Sequence, residues 1–116
     1  MVTMNGIKNC DTVKKARAWL EAHGVAYEFR DYKTAPPSAA ELGAWADQLG
    51  WEALLNRAGT TFRKLSEAEK ADIDRPKAIA LMLANPSMIK RPLLETGGTP
   101  VLGFRPETYA AAFPAA

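Results

Sequence analysis

The sequence predicts an α/β fold built on a four-stranded mixed sheet, and three observations carry that prediction. A short apolar segment, Val2-Thr3-Met4, passes through Gly6 into a long helical pattern and then into an alternating apolar segment that ends near Tyr32. At the other end, two short apolar segments flank Thr96-Gly97-Gly98-Thr99, and a last helical pattern follows them. Residues 34–87, between these ends, carry helix starts and stops but no strand pattern. A strand-helix-strand unit has parallel strands joined by a right-handed crossover. A glycine pair between apolar runs instead makes an antiparallel hairpin.

Each element has a local reason. Residues 2–5 read as a strand, and Gly6 opens the turn that leads to Cys10. From Asp11 onward Val13, Ala16, Leu20 and Trp19 share one helical face, while Lys14, Lys15, Arg17 and Glu21 fall largely on the other. Gly24 after His23 is a helix stop. Val25, Tyr27 and Phe29 then alternate as the apolar side of a second strand. Ala35-Pro36-Pro37 breaks the pattern.

Ser38 with Glu41 forms a capping box for a helix reaching Leu49, and residues 51–55 make a short helix. Gly59-Thr60-Thr61 reads as a loop. Ser66 with Glu69 starts one or two further helical turns, and Pro76 suits the first turn of a helix carrying Ala78, Ile79, Leu81, Met82 and Leu83. Asn85-Pro86 ends it. Residues 92–95 and 100–104 are the hairpin strands, and Pro106 opens a helix through Phe113. The order βαβ, helices, ββα is the layout of a thioredoxin-like fold with an inserted helical subdomain, and the same order also fits other small α/β sheets. We therefore expect a single domain over residues 1–116, with 1–33 and 88–116 as the core and 34–87 as the insertion.

Composition narrows the setting. At 116 residues the chain has the size of one ordinary domain, and its 47% apolar and 24% charged residues suit a folded globular protein. A net charge of +2 gives no electrostatic argument for binding nucleic acid directly or for a membrane surface. No apolar run approaches the roughly 18 residues of a membrane span. No secretory signal is visible either. One cysteine excludes an internal disulfide, which points to a reducing cytoplasm.

That cysteine carries the chemistry. The thiolate is the nucleophile in thiol exchange, and a free cysteine with a pKa of about 8.5 is only a few per cent ionised at neutral pH. At the strand-to-helix turn the amides of Thr12 and Val13 can face the Cys10 sulfur, Lys8 or Lys14 can add positive potential, and Asp11 opposes them. Val13 occupies the second position of a C-x-x-C spacing, so a disulfide made at Cys10 needs an outside thiol, such as glutathione or a second redox protein, to resolve it. In a thioredoxin-like fold a cis-proline precedes the third strand and faces the active thiol. Arg91-Pro92 occupies that place, which brings Arg91 beside Cys10. Arg105, after the fourth strand, is the other guanidinium able to hold a carboxylate or tetrahedral oxyanion. His23, the only histidine, lies at a helix end and lacks a metal-binding cluster. Trp19, Trp45 and Trp51 read as packing residues.

With these sites in place, the chain resembles the arsenate reductase (ArsC)/Spx family along its whole length. Gly6-Ile7-Lys8-Asn9-Cys10-Asp11-Thr12 with Lys14-Lys15-Ala16 is most similar to the YffB-type branch, Met88-Ile89-Lys90-Arg91-Pro92-Leu93-Leu94 to the second family signature, and Gly103-Phe104-Arg105-Pro106 to the third. The resemblance implies that Cys10 is the nucleophile, that Arg91 and Arg105 hold the oxyanion or glutathione, and that Lys8, Asn9, Thr12 and Pro92 complete the site. A third arginine of glutaredoxin-coupled arsenate reductases follows a Leu-Leu pair. Here Leu54-Leu55 precedes Asn56, with Arg57 one place later, and one residue of slip on a helix turns a side chain by about 100°.

YffB-type members imply a glutathione-dependent thiol reductase without a bound cofactor or metal. Its co-substrate would be glutathione, with glutaredoxin as a further partner, acting on a disulfide or a small molecule. Two alternatives stay open: arsenate reductase proper, and an Spx-like adaptor that binds RNA polymerase. Spx-type members usually carry the C-x-x-C switch that Val13 interrupts.

Overall fold

The computed structural model describes residues 2–115. Along the chain come β1 (Val2–Gly6), α1 (Asp11–Ala22), β2 (Tyr27–Asp31), α2 (Ala39–Leu49), α3 (Trp51–Leu54) and α4 (Thr60–Arg63). After them follow α5 (Glu67–Lys70), α6 (Arg75–Ala84), a 3-10 turn (Pro86–Met88), β3 (Leu93–Glu95), β4 (Val101–Leu102) and α7 (Pro106–Ala112). Two compact units result: one runs to Ala35 and resumes at Arg91, and the other is Pro36–Lys90.

The first unit contains the sheet, in the order β2-β1-β3-β4. β1 is parallel to β2, with Val2 opposite Tyr27 and Asn5 opposite Arg30. It is antiparallel to β3, with Met4 opposite Leu94 and Asn5 opposite Leu93. β3 and β4 are antiparallel as well. This is the predicted mixed, thioredoxin-like sheet. β2 and β4 are shorter than their apolar patterns. The Val25 amide is taken by the Leu20 carbonyl at 2.9 Å in the turn that closes α1, so ladder pairing starts only at Tyr27. β4 stops at Leu102 because Gly103, at φ 72°, turns the chain out of the ladder.

Met4, Val13, Ala16, Leu20, Leu94 and Tyr109 form the buried core of this unit, flanked by Trp19, Phe29 and Phe104. The spacing of Val13, Ala16 and Leu20 puts one face of α1 against the sheet. Each fully buried large apolar side chain there contributes about 1.5–3 kcal/mol. Tyr109 meets Phe104 and Trp19 edge-on, at centroid distances of 4.8 and 5.6 Å. Its hydroxyl is buried without a partner among the described residues, and desolvation pushes its pKa well above the ordinary phenol value. His23 behaves as its helix-end position suggests. Its ring stacks on Trp19 at 3.8 Å, and Nδ1 lies 2.8 Å from the Trp19 carbonyl oxygen.

In the second unit Ser38 and Glu41 close their capping box, as do Ser66 and Glu69. The Asp74 side chain caps α6 by accepting from the Lys77 amide at 3.0 Å. The Arg75 guanidinium links α6 to α2, donating to the Gly43 carbonyl at 3.1 Å and pairing with Asp47 at 2.8 Å. One expectation changes. Thr60-Thr61 belongs to the helical turn α4 and not to a loop, because Phe62 is buried and the Thr61 hydroxyl bonds that of Ser87 at 2.9 Å. Leu83 lies in α6 as read and is 40% exposed.

Candidate thiol site

The site is built at the end of β1. A short loop, residues 7–10, follows Gly6, and Cys10 is the N-cap of α1 with extended backbone, φ −111° and ψ 124°. The Cys10 carbonyl accepts the Lys14 amide at 2.9 Å, which starts the helix. The amides of the first turn lack helical acceptors and point back toward the N-cap.

Glycine is required at position 6 by close approach. A β-carbon there would stand 2.9 Å from Cγ2 of Val13, a fully buried, β-branched side chain that cannot swing away. We expect Gly6→Ala to lower stability by about 1–3 kcal/mol, as overpacking does, read as a reduced urea midpoint at unchanged slope. An unchanged midpoint would show that Val13 gives way freely.

Cys10 is a half-buried free thiol that packs on one side against the core cluster. Burial by itself raises its pKa. The Val13 amide, a hydrogen bond and the charge of Arg91, and the Thr12 amide outweigh that effect and leave the thiol below its ordinary value. Sγ makes no regular capping hydrogen bond. The amides therefore act on it as nearby dipoles more than as a formal cap. The sequence offers Lys8 and Lys14 as sources of positive potential, but the charge that acts on the thiol is that of Arg91.

Arg91 reaches this position from the start of β3, where the Arg91-Pro92 peptide is cis. The Pro92 carbonyl accepts the Gly103 amide at 2.9 Å, which ties this corner to the end of β4. Lys8, Asn9 and Thr12 are exposed around the loop. Arg105 is the N-cap of α7, exposed, and its side chain has no hydrogen-bond or ion-pair partner among the described residues. Asn56 and Arg57 lie in the second unit. Asn56 accepts the Ala58 amide at 3.1 Å through Oδ1, and the Arg57 guanidinium stands 5.5 Å from the Trp51 ring centroid. Among the described residues no group of three or more His, Cys, Asp or Glu could hold a metal ion.

One polar residue of this region escapes a sequence reading. Asn5, in the central strand, is 0% exposed. Its Nδ2 donates to the Leu93 carbonyl at 3.1 Å and to Glu95 Oε1 at 2.8 Å, and its Oδ1 accepts from Arg30 at 3.1 Å. The available signal was an asparagine within a strand, where that residue type is depleted.

Chemically, the arrangement sets a thiol held below its ordinary pKa beside a guanidinium, a group able to hold an anion. Comparison with known proteins gives a consistent picture. Residues 5–112 match the ArsC family. A solved structure of a YFFB protein is similar at 59% identity and a TM-score of 0.94, covering 97% of this chain and 98% of that one. An arsenate reductase (ArsC) related protein from Brucella melitensis is 54% identical, with a TM-score of 0.78 and coverage of 97% and 93%. The global transcriptional regulator Spx of Streptococcus mutans is 28% identical over 98% of this chain and 84% of its own length.

Proposed function

Because the chain belongs to the ArsC family, we propose that it is a thiol–disulfide oxidoreductase in which Cys10 is the nucleophile and glutathione the resolving thiol. The observation that carries this reading is the Cys10 thiol itself, set at a helix start where the helix amides and the Arg91 guanidinium hold its pKa below the ordinary value. In the first step the Cys10 thiolate attacks a glutathione mixed disulfide, R–S–S–G. A new S–S bond forms between Cys10 and the glutathione sulfur, the S–S bond of R–S–S–G breaks, and RS⁻ departs and takes up a proton. In the second step a glutathione thiolate attacks Cys10–S–S–G, releasing the Cys10 thiolate and oxidised glutathione. The net two electrons come from glutathione, because this chain has no second cysteine.

Arg91 stabilises the attacking and departing Cys10 thiolate in both steps. Arg105 binds a glutathione carboxylate, and Lys8, Asn9, Thr12 and Pro92 line the approach. A reducing cytoplasm, where glutathione is abundant, is the compartment that suits this chemistry. Arsenate reduction is the lesser activity in this reading, since Asn56 stands where an arginine follows the Leu-Leu pair. The test is release of RSH from a glutathione mixed disulfide. We expect turnover that depends on added glutathione and exceeds turnover of arsenate. No release above the rate with glutathione alone would refute the reading.

The likeness to a transcriptional regulator supports a second reading, an adaptor that contacts RNA polymerase. Capture of polymerase that survives Cys10→Ser, with no turnover by the unmodified protein, would favour the adaptor over the enzyme.

A further inference from the structure

We infer that Asn5 is a positioning residue that sets Arg91 against Cys10 by tying together the two strands from which they project. This rests on the reading of Cys10 and Arg91 as a working pair. β1 leads into the loop that ends at Cys10, and β3 begins two residues after Arg91. The two strands are neighbours, with Asn5 directly opposite Leu93. Their ladder is short, with Thr3, Met4 and Asn5 facing Glu95, Leu94 and Leu93. Asn5 sits at the end of that ladder nearest the site and adds side-chain bonds to it.

Its Nδ2 holds the backbone of β3 through the Leu93 carbonyl and the side chain of β3 through Glu95. Its Oδ1 is held in turn by Arg30 of β2, the residue opposite it in the parallel ladder. Arg30 also stands 5.4 Å from the Tyr32 ring centroid, which limits its own movement. The amide thus has both donors and its acceptor engaged, across three adjacent strands. A buried amide bound this way has one orientation, because flipping it would set its NH2 against the guanidinium and its oxygen against the Leu93 carbonyl. An apolar side chain at position 5 could fill the space but would leave the Leu93 end of β3 held only by the backbone ladder. Arg91, one residue beyond Pro92, would then lose its fixed distance from Sγ. Interactions of this kind depend steeply on that distance.

The experiment is a double-mutant cycle on Asn5 and Arg91, read as the pH profile of Cys10 alkylation by iodoacetamide, with thermal unfolding to confirm that each variant is folded. Asn5→Ala is expected to move the profile to higher pH and to slow alkylation at neutral pH about two- to fourfold, the loss of thiolate being partly offset by its greater basicity. In the Arg91→Ala background the same substitution is expected to move nothing further. If Asn5→Ala does not fold, Glu95→Ala removes one of the two acceptors of Nδ2 and is expected to shift the profile in the same direction by less. A folded Asn5→Ala, or in its place Glu95→Ala, with the unmodified profile would overturn the inference. So would an Asn5 shift of equal size with and without Arg91. Failure of Arg91→Ala itself to move the profile would instead overturn the underlying pairing of Arg91 with Cys10.

Discussion

Cys10→Ser is expected to reduce glutathione-dependent turnover to the uncatalysed background while leaving the protein at least as stable. The hydroxyl cannot form the mixed disulfide and is essentially un-ionised at neutral pH, so both steps of the cycle are lost together. The fold has no reason to suffer. Position 10 is a helix N-cap that makes no regular capping bond with sulfur. A serine oxygen is a preferred N-cap acceptor for the second or third helical amide, here Thr12 or Val13, and adds about 0.5–1 kcal/mol. Loss of turnover with an unchanged or raised unfolding midpoint separates a chemical role of the thiol from a packing role. A stable Cys10→Ser protein that still turns over would remove Cys10 from the mechanism.

Arg91→Ala is the second large effect. A charge-assisted hydrogen bond is worth about 1.5–3 kcal/mol, so removing the guanidinium should lower kcat/KM roughly ten- to hundredfold. The sign with pH follows from what remains. Burial alone raises the Cys10 pKa, and Arg91 is one of the groups that reverse this. Without it the alkylation profile moves to higher pH. The deficit is largest at pH values between the two midpoints, and closes above both, where either protein is a thiolate. Stability carries the same sign. The stabilisation from a lowered thiol pKa is present above the free-thiol value and fades as pH falls through the folded one, so the variant should lose more stability in alkaline than in acid solution. Arg91→Lys should recover part of the effect, because an ammonium keeps the charge but not the fork of donors. Equal kcat/KM and identical profiles for Arg91→Ala would leave the thiol to the helix amides alone.

How much of this was legible in the chain depends on how local each cause is. The turn that delivers Cys10 is local: Gly6, a polar loop and the period of Val13, Ala16 and Leu20 define it within fifteen residues of sequence. The place of Arg91 is not local, and it became readable only once the order of strands implied a sheet that brings the start of β3 to the thiol. The source of positive charge shows the limit. Lys8 and Lys14 are near in sequence, yet the charge that acts on Cys10 comes from Arg91. Asn5 was beyond reach for the same reason, since its partners lie 25, 88 and 90 residues away. The helical turn at Thr60 was hidden because threonine is a poor helix former, and the buried Phe62 and the bond to Ser87 overrule that preference. Asn56 and Arg57 could be matched to a family position by the Leu-Leu pair, but not the direction in which either side chain is used.

The most direct measurement is the intact mass of the protein after incubation with oxidised glutathione at neutral pH. A reactive Cys10 without a partner cysteine should accumulate a single glutathionyl adduct, mapped to Cys10 and removed when reduced glutathione is added. Protein that stays unmodified under these conditions, while remaining folded, would contradict the claim that Cys10 is a thiolate nucleophile resolved by an outside thiol.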